Sequence, residues 1–211
     1  MSEPGTSAAS RSDVARNRKS LLEAAADALA ENPGASMAEI AQAARLTRAT
    51  LYRHFSNRQS LVEAMRAEAL VRAAHAIAGS RLEEGAALEA LHRVVEALIR
   101  EGMRFRALLV DGAEQDAGFL RERMAVFGPL HDVARRGQDA GQIRADLPPE
   151  WVVAVIASLL ATGVRAAREM VADDAALVDL VFGTLTAGVA TTGVDTAGQR
   201  VRRPAARRQQ S

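Results

Sequence analysis

Apolar residues recur at helical spacing along most of the chain, in runs separated by polar residues, glycine and proline. The first run is a stripe of leucine and alanine from Leu21 to Leu29, which predicts a helix over about 13–31. The same spacing predicts further helices at about 37–43, 48–54, 57–79, 84–101, 103–110, 115–139, 149–171 and 174–191. No run alternates apolar and polar residues as a half-buried strand does. We therefore predict an all-α fold of about nine helices.

Three helix-capping signals follow one another between residues 36 and 59. Ser36 and Glu39 form a capping box, in which each side chain binds the backbone N–H of the other residue. Thr47 is the predicted N-cap of the third helix, and the segment "SNRQ" at 56–59 opens the long fourth helix. Three helix starts in about twenty residues indicate a helix-turn-helix arrangement. We place that motif at about 36–55, inside a head domain at 13–58.

The segment "LTRATLYRHF" at 46–55 contains the only tyrosine of the chain. On a helical wheel Leu51 and Phe55 fall on one side, where they can pack on the second helix. Arg48, at the exposed N-terminal turn, and Tyr52 remain available to a partner. Arginine and threonine suit the edges of bases in the major groove, and tyrosine suits phosphate oxygens. The segment therefore predicts a DNA-reading helix; its alternative is the outer face of a plain helical bundle.

Charge is distributed unevenly along a chain whose net charge is only +1. Residues 11–58 carry eight basic against five acidic side chains, whereas residues 59–197 carry fourteen against twenty. The last fourteen residues carry five arginines and no acid. This asymmetry favours a head that faces a polyanion, attached to a mildly acidic body.

The segments "RKSLLEAAADAL" and "SMAEIAQAARLTRATLYRHFSNRQSLVEAM" together resemble the N-terminal domain of the TetR family of transcriptional regulators. The resemblance covers about 50 residues and implies a bacterial homodimer that binds a palindromic operator. It also implies release of the operator when a small ligand enters the C-terminal domain, which points to a repressor. The positions that would face double-stranded DNA are Arg18, Thr47, Arg48, Thr50, Tyr52, His54 and Arg58.

The chain departs from the family pattern at two positions, and two residues of the DNA-facing set have a second interpretation. Arg45 stands where the family usually has the glycine of the turn, and Ala30 stands where a bulky aromatic residue is common. A left-handed backbone at Arg45 would cost about 1 kcal/mol relative to glycine. His54 could cap the helix rather than bind a phosphate, and Arg18 could be a solvated side chain.

The remaining helices, at 59–193, are predicted to form a domain that binds a ligand and dimerises. Aromatic, methionine and histidine residues on its central helices could line an apolar cavity or simply form the core. These residues are Met103, Phe105, Phe119, Met124, Phe127, His131 and Trp151. The segments "WVVAVIASLLATG" and "LVDLVFGTLTAGVA" are apolar on more than one face, so each must be buried within the subunit or against a second copy. A two-fold four-helix interface would use Leu159, Leu160, Gly163, Leu185 and Gly188.

Several functional classes find little support in the sequence. The chain has no cysteine, which excludes disulfides and thiolate metal sites. Glu89 and His92 have the spacing of a di-iron ligand pair, but a solvated helix face is the alternative and we predict no metal site. No phosphate-binding loop, nucleophile motif or acid–base pair is visible, so we expect neither an enzyme nor a cofactor. The rival function is a helical protein that binds a small molecule or a metal and has no DNA role.

The two ends of the chain are polar and rich in arginine, serine or alanine. We predict disorder at 1–12 and in a basic tail at 194–211. The start lacks a signal-peptide core, and no apolar run approaches the ~20 residues of a membrane span. These features predict a cytoplasmic protein.

Overall fold

The computed structural model describes residues 6–105, 116–170 and 173–189, and within these ranges all the regular elements are helices. The first four are α1 (Thr6–Glu31), α2 (Met37–Ala43), α3 (Arg48–His54) and α4 (Arg58–Gly79). The next two are α5 (Ala87–Arg104) and α6 (Ala117–Val126). The last three are α7 (Leu130–Asp139), α8 (Pro149–Met170) and α9 (Asp174–Val189). The all-α prediction is confirmed.

Helix boundaries depart from the sequence prediction in three places within the described residues. The helix α1 begins at Thr6, inside the segment predicted to be disordered, whereas the predicted tail at 194–211 lies outside the described residues. The predicted helix 103–110 also lies largely outside them. The predicted helix 115–139 is two helices, because Pro129 disfavours helical backbone at Gly128. The helix α5 begins at Ala87 rather than 84, after Gly85 adopts a left-handed φ of 74°.

The N-caps of the helix-turn-helix region are those that the sequence predicts, with one shift. The Glu39 N–H donates to Ser36 Oγ at 3.3 Å, and the Ser36 N–H donates to Glu39 Oε2 at 2.7 Å. The Ser36 N–H, followed by the Ser36 hydroxyl, lowers the pKa of Glu39, because a donor to a carboxylate favours its charged form. Thr47 caps α3 by accepting the Thr50 N–H at 3.1 Å. The cap of α4 is Asn57 rather than Ser56, since Asn57 Oδ1 accepts the Ser60 N–H at 2.8 Å.

Arg45 occupies the turn between α2 and α3 with a left-handed φ of 56°. The Arg45 N–H donates to the Gln42 carbonyl at 3.0 Å, and the Leu46 N–H donates to the Ala41 carbonyl at 2.8 Å. This pair of hydrogen bonds is a Schellman motif, which closes the C-terminus of a helix and usually has glycine at this position. The turn therefore keeps its geometry with arginine in place of the expected glycine.

Two clusters of buried side chains stabilise the molecule. The smaller one fills the head; Leu22, Ile40 and Leu51 are fully buried in it, and it continues along α4 to Met65, beyond the predicted boundary at 58. The larger one joins α5, α7, α8 and α9 around residues such as Leu91 and Ile156. Phe105, at the end of α5, is buried in the head cluster although it follows a body helix.

The helix α8 is long and apolar enough, by length and composition alone, to cross a membrane. That finding corrects the expectation that no such run exists. Half of the apolar stretch, residues Pro149–Ala167, is buried inside the protein. The core helix of a globular protein has the same composition, and the burial of Ile156 and Val164 agrees with that role.

Candidate DNA interface and ligand cavity

The helix α3 is held to the head by one face and presents polar side chains on the other. Leu51 and Phe55 are buried in the head cluster together with Ile40, as the helical wheel predicts. On the opposite face Arg48 is exposed, and Tyr52 is 43% exposed. The only tyrosine of the chain therefore points its phenol toward solvent rather than into a core.

Threonine, arginine and histidine complete this outer face, which we name the α3 face: Thr47, Arg48, Ala49, Thr50, Tyr52, Arg53 and His54. Thr47 Oγ1 and Thr50 Oγ1 lie 2.8 Å apart, so the two hydroxyls hold each other in place at the start of the helix. The helix N-terminus adds unpaired N–H groups and a partial positive charge. Such a surface can bind phosphate oxygens and reach base edges at the same time.

Three residues of the predicted DNA set lie at the edge of the α3 face: His54, which belongs to that face, and Arg18 and Arg58, which do not. The Arg18 guanidinium stacks over the Phe55 ring, 5.5 Å from Cζ to the centroid, and remains exposed to solvent. The His54 ring is exposed and tilted against Phe55, with 6.3 Å between ring centroids. Arg58 differs from both, because its Nη2 donates to the Pro33 carbonyl at 2.8 Å. Arg58 therefore fastens the loop before α2 to the start of α4.

A cavity of about 120 Å³ opens between four helices of the body. Its walls are mostly apolar and come from α4, α5, α6 and α8; Leu70, Leu98, Leu160 and Val164 are among them. The charged side chains in its wall are Glu101 and Arg123. A cavity of this kind suits a small, largely apolar ligand with a polar group.

The predicted cavity residues divide into two groups. Phe105, Phe119 and Phe127 line the cavity. The others do not: Met103 and Met124 pack against the body core, and His131 Nδ1 lies 2.8 Å from the Gly128 carbonyl oxygen. Trp151 is 58% exposed on the outside of α8, so its assignment to the cavity is wrong.

Sequence reasoning missed Glu101, the acidic group of the cavity wall. Glu101 follows Leu98 by three residues and therefore continues the apolar stripe of α5, where a carboxylate is unexpected. Its Oε2 is buried and has no hydrogen-bond partner within the described part of the chain. The position of an acidic residue on the apolar face of an amphipathic helix was the sequence feature that could have identified Glu101 as part of the cavity wall.

The helix α6 closes one side of the cavity, and Arg66 on α4 contacts its first turn. Arg66 Nη1 lies 3.1 Å from Asp116 Oδ2, and its guanidinium lies over the Phe119 ring at 5.7 Å. Asp116 caps α6, and the N–H groups of Phe119 and Gly118 lower the pKa of its carboxyl. Phe119 is therefore positioned on the cavity by both its cap and its stacking partner.

The residues predicted for a subunit interface are placed differently by the structure. Leu185 is 1% exposed in a single subunit, and Leu160 lines the cavity. Gly163 is buried where a Cβ would lie 2.6 Å from Val181 Cγ2, so it allows α8 and α9 to pack closely within the subunit. Leu159 is half-buried against the body core, and Gly188 is exposed. The assignment of Leu160, Gly163 and Leu185 to an outer interface is therefore wrong.

Glu89 and His92, which have the spacing of metal ligands, have other partners. Glu89 Oε2 accepts the Ala86 N–H at 3.0 Å and closes the start of α5. The His92 ring lies edge-on to Phe182, with 4.8 Å between centroids. No group of three or more histidine, aspartate or glutamate side chains that could hold a metal occurs among the residues described.

Comparison with known proteins agrees with this geometry. The family model described as "Bacterial regulatory proteins, tetR family" matches residues 21–65. The chain is 27% identical over 184 residues to the HTH-type transcriptional repressor LfrR of Mycolicibacterium smegmatis, covering 82% of this chain and 90% of that protein.

Solved structures give the same fold over most of the chain. The structure of LfrR from Mycobacterium smegmatis in complex with proflavine matches with a TM-score of 0.68 and 26% identity, covering 82% of this chain and 96% of that one. The fatty acid degradation regulator FadR from Bacillus halodurans, at 20% identity, matches with a TM-score of 0.63 over 81% of this chain and 98% of that one. The chain is therefore similar to TetR-family transcriptional regulators, through the family model over residues 21–65 and through LfrR over most of its length.

Proposed function

We propose that the protein is a repressor that binds a pseudo-palindromic operator as a homodimer in the cytoplasm and releases it when a small molecule enters the body cavity. The observation that carries this proposal is the α3 face, an exposed set of arginine, threonine and tyrosine side chains on a capped helix anchored by Leu51 and Phe55. The relatives named above are regulators rather than enzymes, which supports a role in transcription.

The residues of the predicted DNA set are assigned roles by their chemistry. Arg48, at the first turn of α3, would read a guanine edge, and Thr50 would contact a thymine methyl or a phosphate. Tyr52, His54, Thr47 and Arg18 would bind phosphates, which position the helix without reading sequence. Arg58 would act indirectly, because its bond to Pro33 holds the turn that carries α2.

A second copy of the chain would cover the outer faces of α8 and α9. Leu180 is 45% exposed, and small exposed residues continue its face at Gly183, Thr184, Ala187 and Gly188. Small residues allow two helices to approach closely, and an exposed leucine beside them supplies apolar area. On α8, Trp151 is exposed and Leu159 is half-buried, and we include both in the proposed surface. This set replaces the buried residues that the sequence suggested.

The effector would have an apolar body and at least one hydrogen-bond donor. The aromatic rings of Phe105, Phe119 and Phe127 suit a flat apolar body. The buried Glu101 Oε2 offers the acceptor that a donor on the effector would satisfy. Proflavine, the ligand of the LfrR structure, has this chemistry and is the first compound to test.

Selection of genomic fragments by the purified protein tests the DNA role. We expect enrichment of a pseudo-palindrome whose half-site centres lie about one helical turn apart, with an affinity that falls steeply as salt rises. Fragments that bind no better than random DNA would instead support a helical ligand-binding protein without a DNA role. Compounds that stabilise the protein thermally are then tested for operator release; stabilisers that leave operator affinity unchanged would contradict the ligand gating.

A further inference from the structure

A buried arginine joins three helices at the junction between head and body. Arg72 on α4 is only 8% exposed. A buried arginine is rare unless charged partners surround it, and Arg72 has such partners. Its Nη2 forms a hydrogen bond with Glu23 Oε1 on α1, and its Nε donates to Glu68 Oε1 at 2.9 Å on its own helix. Its Nη1 lies 3.6 Å from Glu101 Oε2 on α5. One guanidinium thus contacts the head, the connecting helix and the wall of the cavity.

Phe105 connects the same two regions by packing. Its ring is 4% exposed, lines the cavity and is buried in the head cluster beside α1 and α4. The Arg72 guanidinium lies over this ring, 5.5 Å from Cζ to the centroid. A ligand that displaces Phe105 would therefore disturb a group already bound to Glu23.

The contact with Glu101 is the weakest of the three. At 3.6 Å it exceeds hydrogen-bond distance, and Glu101 Oε2 is buried without a hydrogen-bond partner among the described residues. The bonds to Glu23 and Glu68 are direct, and breaking a buried ion pair leaves an uncompensated charge. A displacement of Phe105, on whose ring the guanidinium lies, would accordingly move Arg72 and Glu23 together.

The helix α1 transmits such a movement to the DNA-contacting surface. Arg18, five residues before Glu23 on α1, stacks over Phe55 at the end of α3. We propose that Arg72 is the positioning residue that couples occupation of the cavity to the α3 face, through its bond to Glu23. The proposal rests on the ligand-gated function proposed above, and it adds a route through α5 and α1 to the direct connection that α4 provides.

Two matched substitutions separate this coupling from the general stability of the cluster. Glu23→Gln and Glu68→Gln each remove one carboxylate from Arg72, but only Glu23 lies on α1. Ala161→Phe, on the α8 wall of the cavity, serves as a built-in occupant in place of the unidentified effector. Ala157→Leu, on the same wall, is a smaller occupant for use if the phenylalanine prevents folding.

Operator affinity is measured for the wild type and both glutamine variants, each with and without the occupant. We expect the occupant to weaken operator binding about fivefold or more in the wild type and in Glu68→Gln. In Glu23→Gln the occupant should leave operator affinity nearly unchanged. If the occupant weakened operator binding by the same factor in all three backgrounds, the role of Arg72 would be overturned. If it did not weaken operator binding in the wild type, both gating by the cavity and the coupling through Arg72 would be overturned.

Amide hydrogen exchange of residues 21–31 in the same proteins reports on the coupling without DNA. The occupant should accelerate exchange in this part of α1 in the wild type and in Glu68→Gln, but not in Glu23→Gln. This measurement distinguishes the two failures: absence of an operator would contradict the proposed function, whereas the exchange pattern alone decides whether Arg72 connects the cavity to α1. Acceleration that persists in Glu23→Gln would overturn the proposal.

Discussion

Arg58 Nη2 donates a hydrogen bond to the Pro33 carbonyl oxygen at 2.8 Å, across twenty-five residues of sequence. The bond ties the start of α4 to the loop between α1 and α2. The helices α1, α2 and α4, which surround α3 in sequence and in the head, are therefore joined at one point. The family resemblance assigns Arg58 to the DNA-facing set, but this contact gives it a structural role as well.

We therefore expect Arg58→Ala to destabilise the head. Loss of a hydrogen bond from a charged donor should lower the free energy of unfolding by about 1–2 kcal/mol, measured by urea denaturation. Operator affinity should fall equally on all sequences. Gln59→Ala, at the exposed neighbouring position, is the matched control and should leave stability within about 0.5 kcal/mol of the wild type. If Arg58→Ala kept wild-type stability but bound the operator less tightly, Arg58 would act by contacting DNA directly.

Substitutions of Arg48 and Tyr52 should both weaken operator binding, but only the substitution of Arg48 should change the preference for particular base pairs. Arg48→Ala should cost about 1–3 kcal/mol of operator affinity and relax preference at particular base pairs, because base contacts carry sequence information. Tyr52→Phe should weaken binding similarly on all sequences, as loss of a phosphate contact does. Affinities for a panel of single-base operator variants measure both effects. Arg135→Ala, an exposed arginine of the body, is the control for charge; base-specific loss in Tyr52→Phe would reverse the roles.

The left-handed backbone of Arg45 predicts a gain of stability. Arg45→Gly should raise the free energy of unfolding by about 1 kcal/mol, because glycine adopts a φ of 56° without the Cβ clash. Arg45→Ala removes the charge but keeps the Cβ, so it should bring no such gain. Thermal and urea unfolding of the two variants provide the comparison. Equal stability of the two would mean that the charge, not the backbone, decides the effect.

Substitutions at Leu180 and Leu185 should have different effects, because Leu180 is exposed and Leu185 is fully buried in the subunit. Leu180→Asp should give a folded monomer by light scattering, with operator affinity strongly reduced because one head loses the effective concentration that linkage provides. Leu185→Ala should lower the free energy of unfolding by about 2–5 kcal/mol through a core cavity. A folded Leu180→Asp dimer would place the subunit interface elsewhere.

Phe119 and Trp151 distinguish the cavity from the outer surface. Phe119→Ala removes part of the cavity wall and should change the affinity for proflavine or another thermally stabilising compound, measured by calorimetry. Trp151→Ala should leave that affinity unchanged, because its ring is outside the cavity. Operator binding without ligand should persist in Phe119→Ala. A loss of ligand affinity in Trp151→Ala alone would contradict this location of the site.

Local patterns determined the helices, the caps and the core of the head. Helical periodicity and capping depend on residues within about four positions of one another, so they can be read without knowing the fold. The box of Ser36 and Glu39 and the burial of Leu51 and Phe55 are confirmed for this reason. The family model likewise matches residues 21–65, the segment in which local pattern and DNA chemistry coincide.

Distance in sequence explains what the patterns did not reveal. Apolar segments in α8 and α9 indicate burial, but only the packing of Gly163 against Val181 decides that this face lies inside the subunit and leaves Leu180 outside. Aromatic residues on the body helices predicted a cavity, yet which of them line it depends on how four helices meet.

The junction of head and body is the clearest case. Glu23, Arg72 and Glu101 are single charged residues on three helices, and nothing in the local sequence pairs them. Burial makes the charge of Arg72 costly unless it is paired, and the fold brings the two carboxylates to its guanidinium. The sequence by itself thus specified a DNA-binding head on a helical body, while the tertiary structure alone determined the connection between the two, because that connection is made by contacts between distant residues.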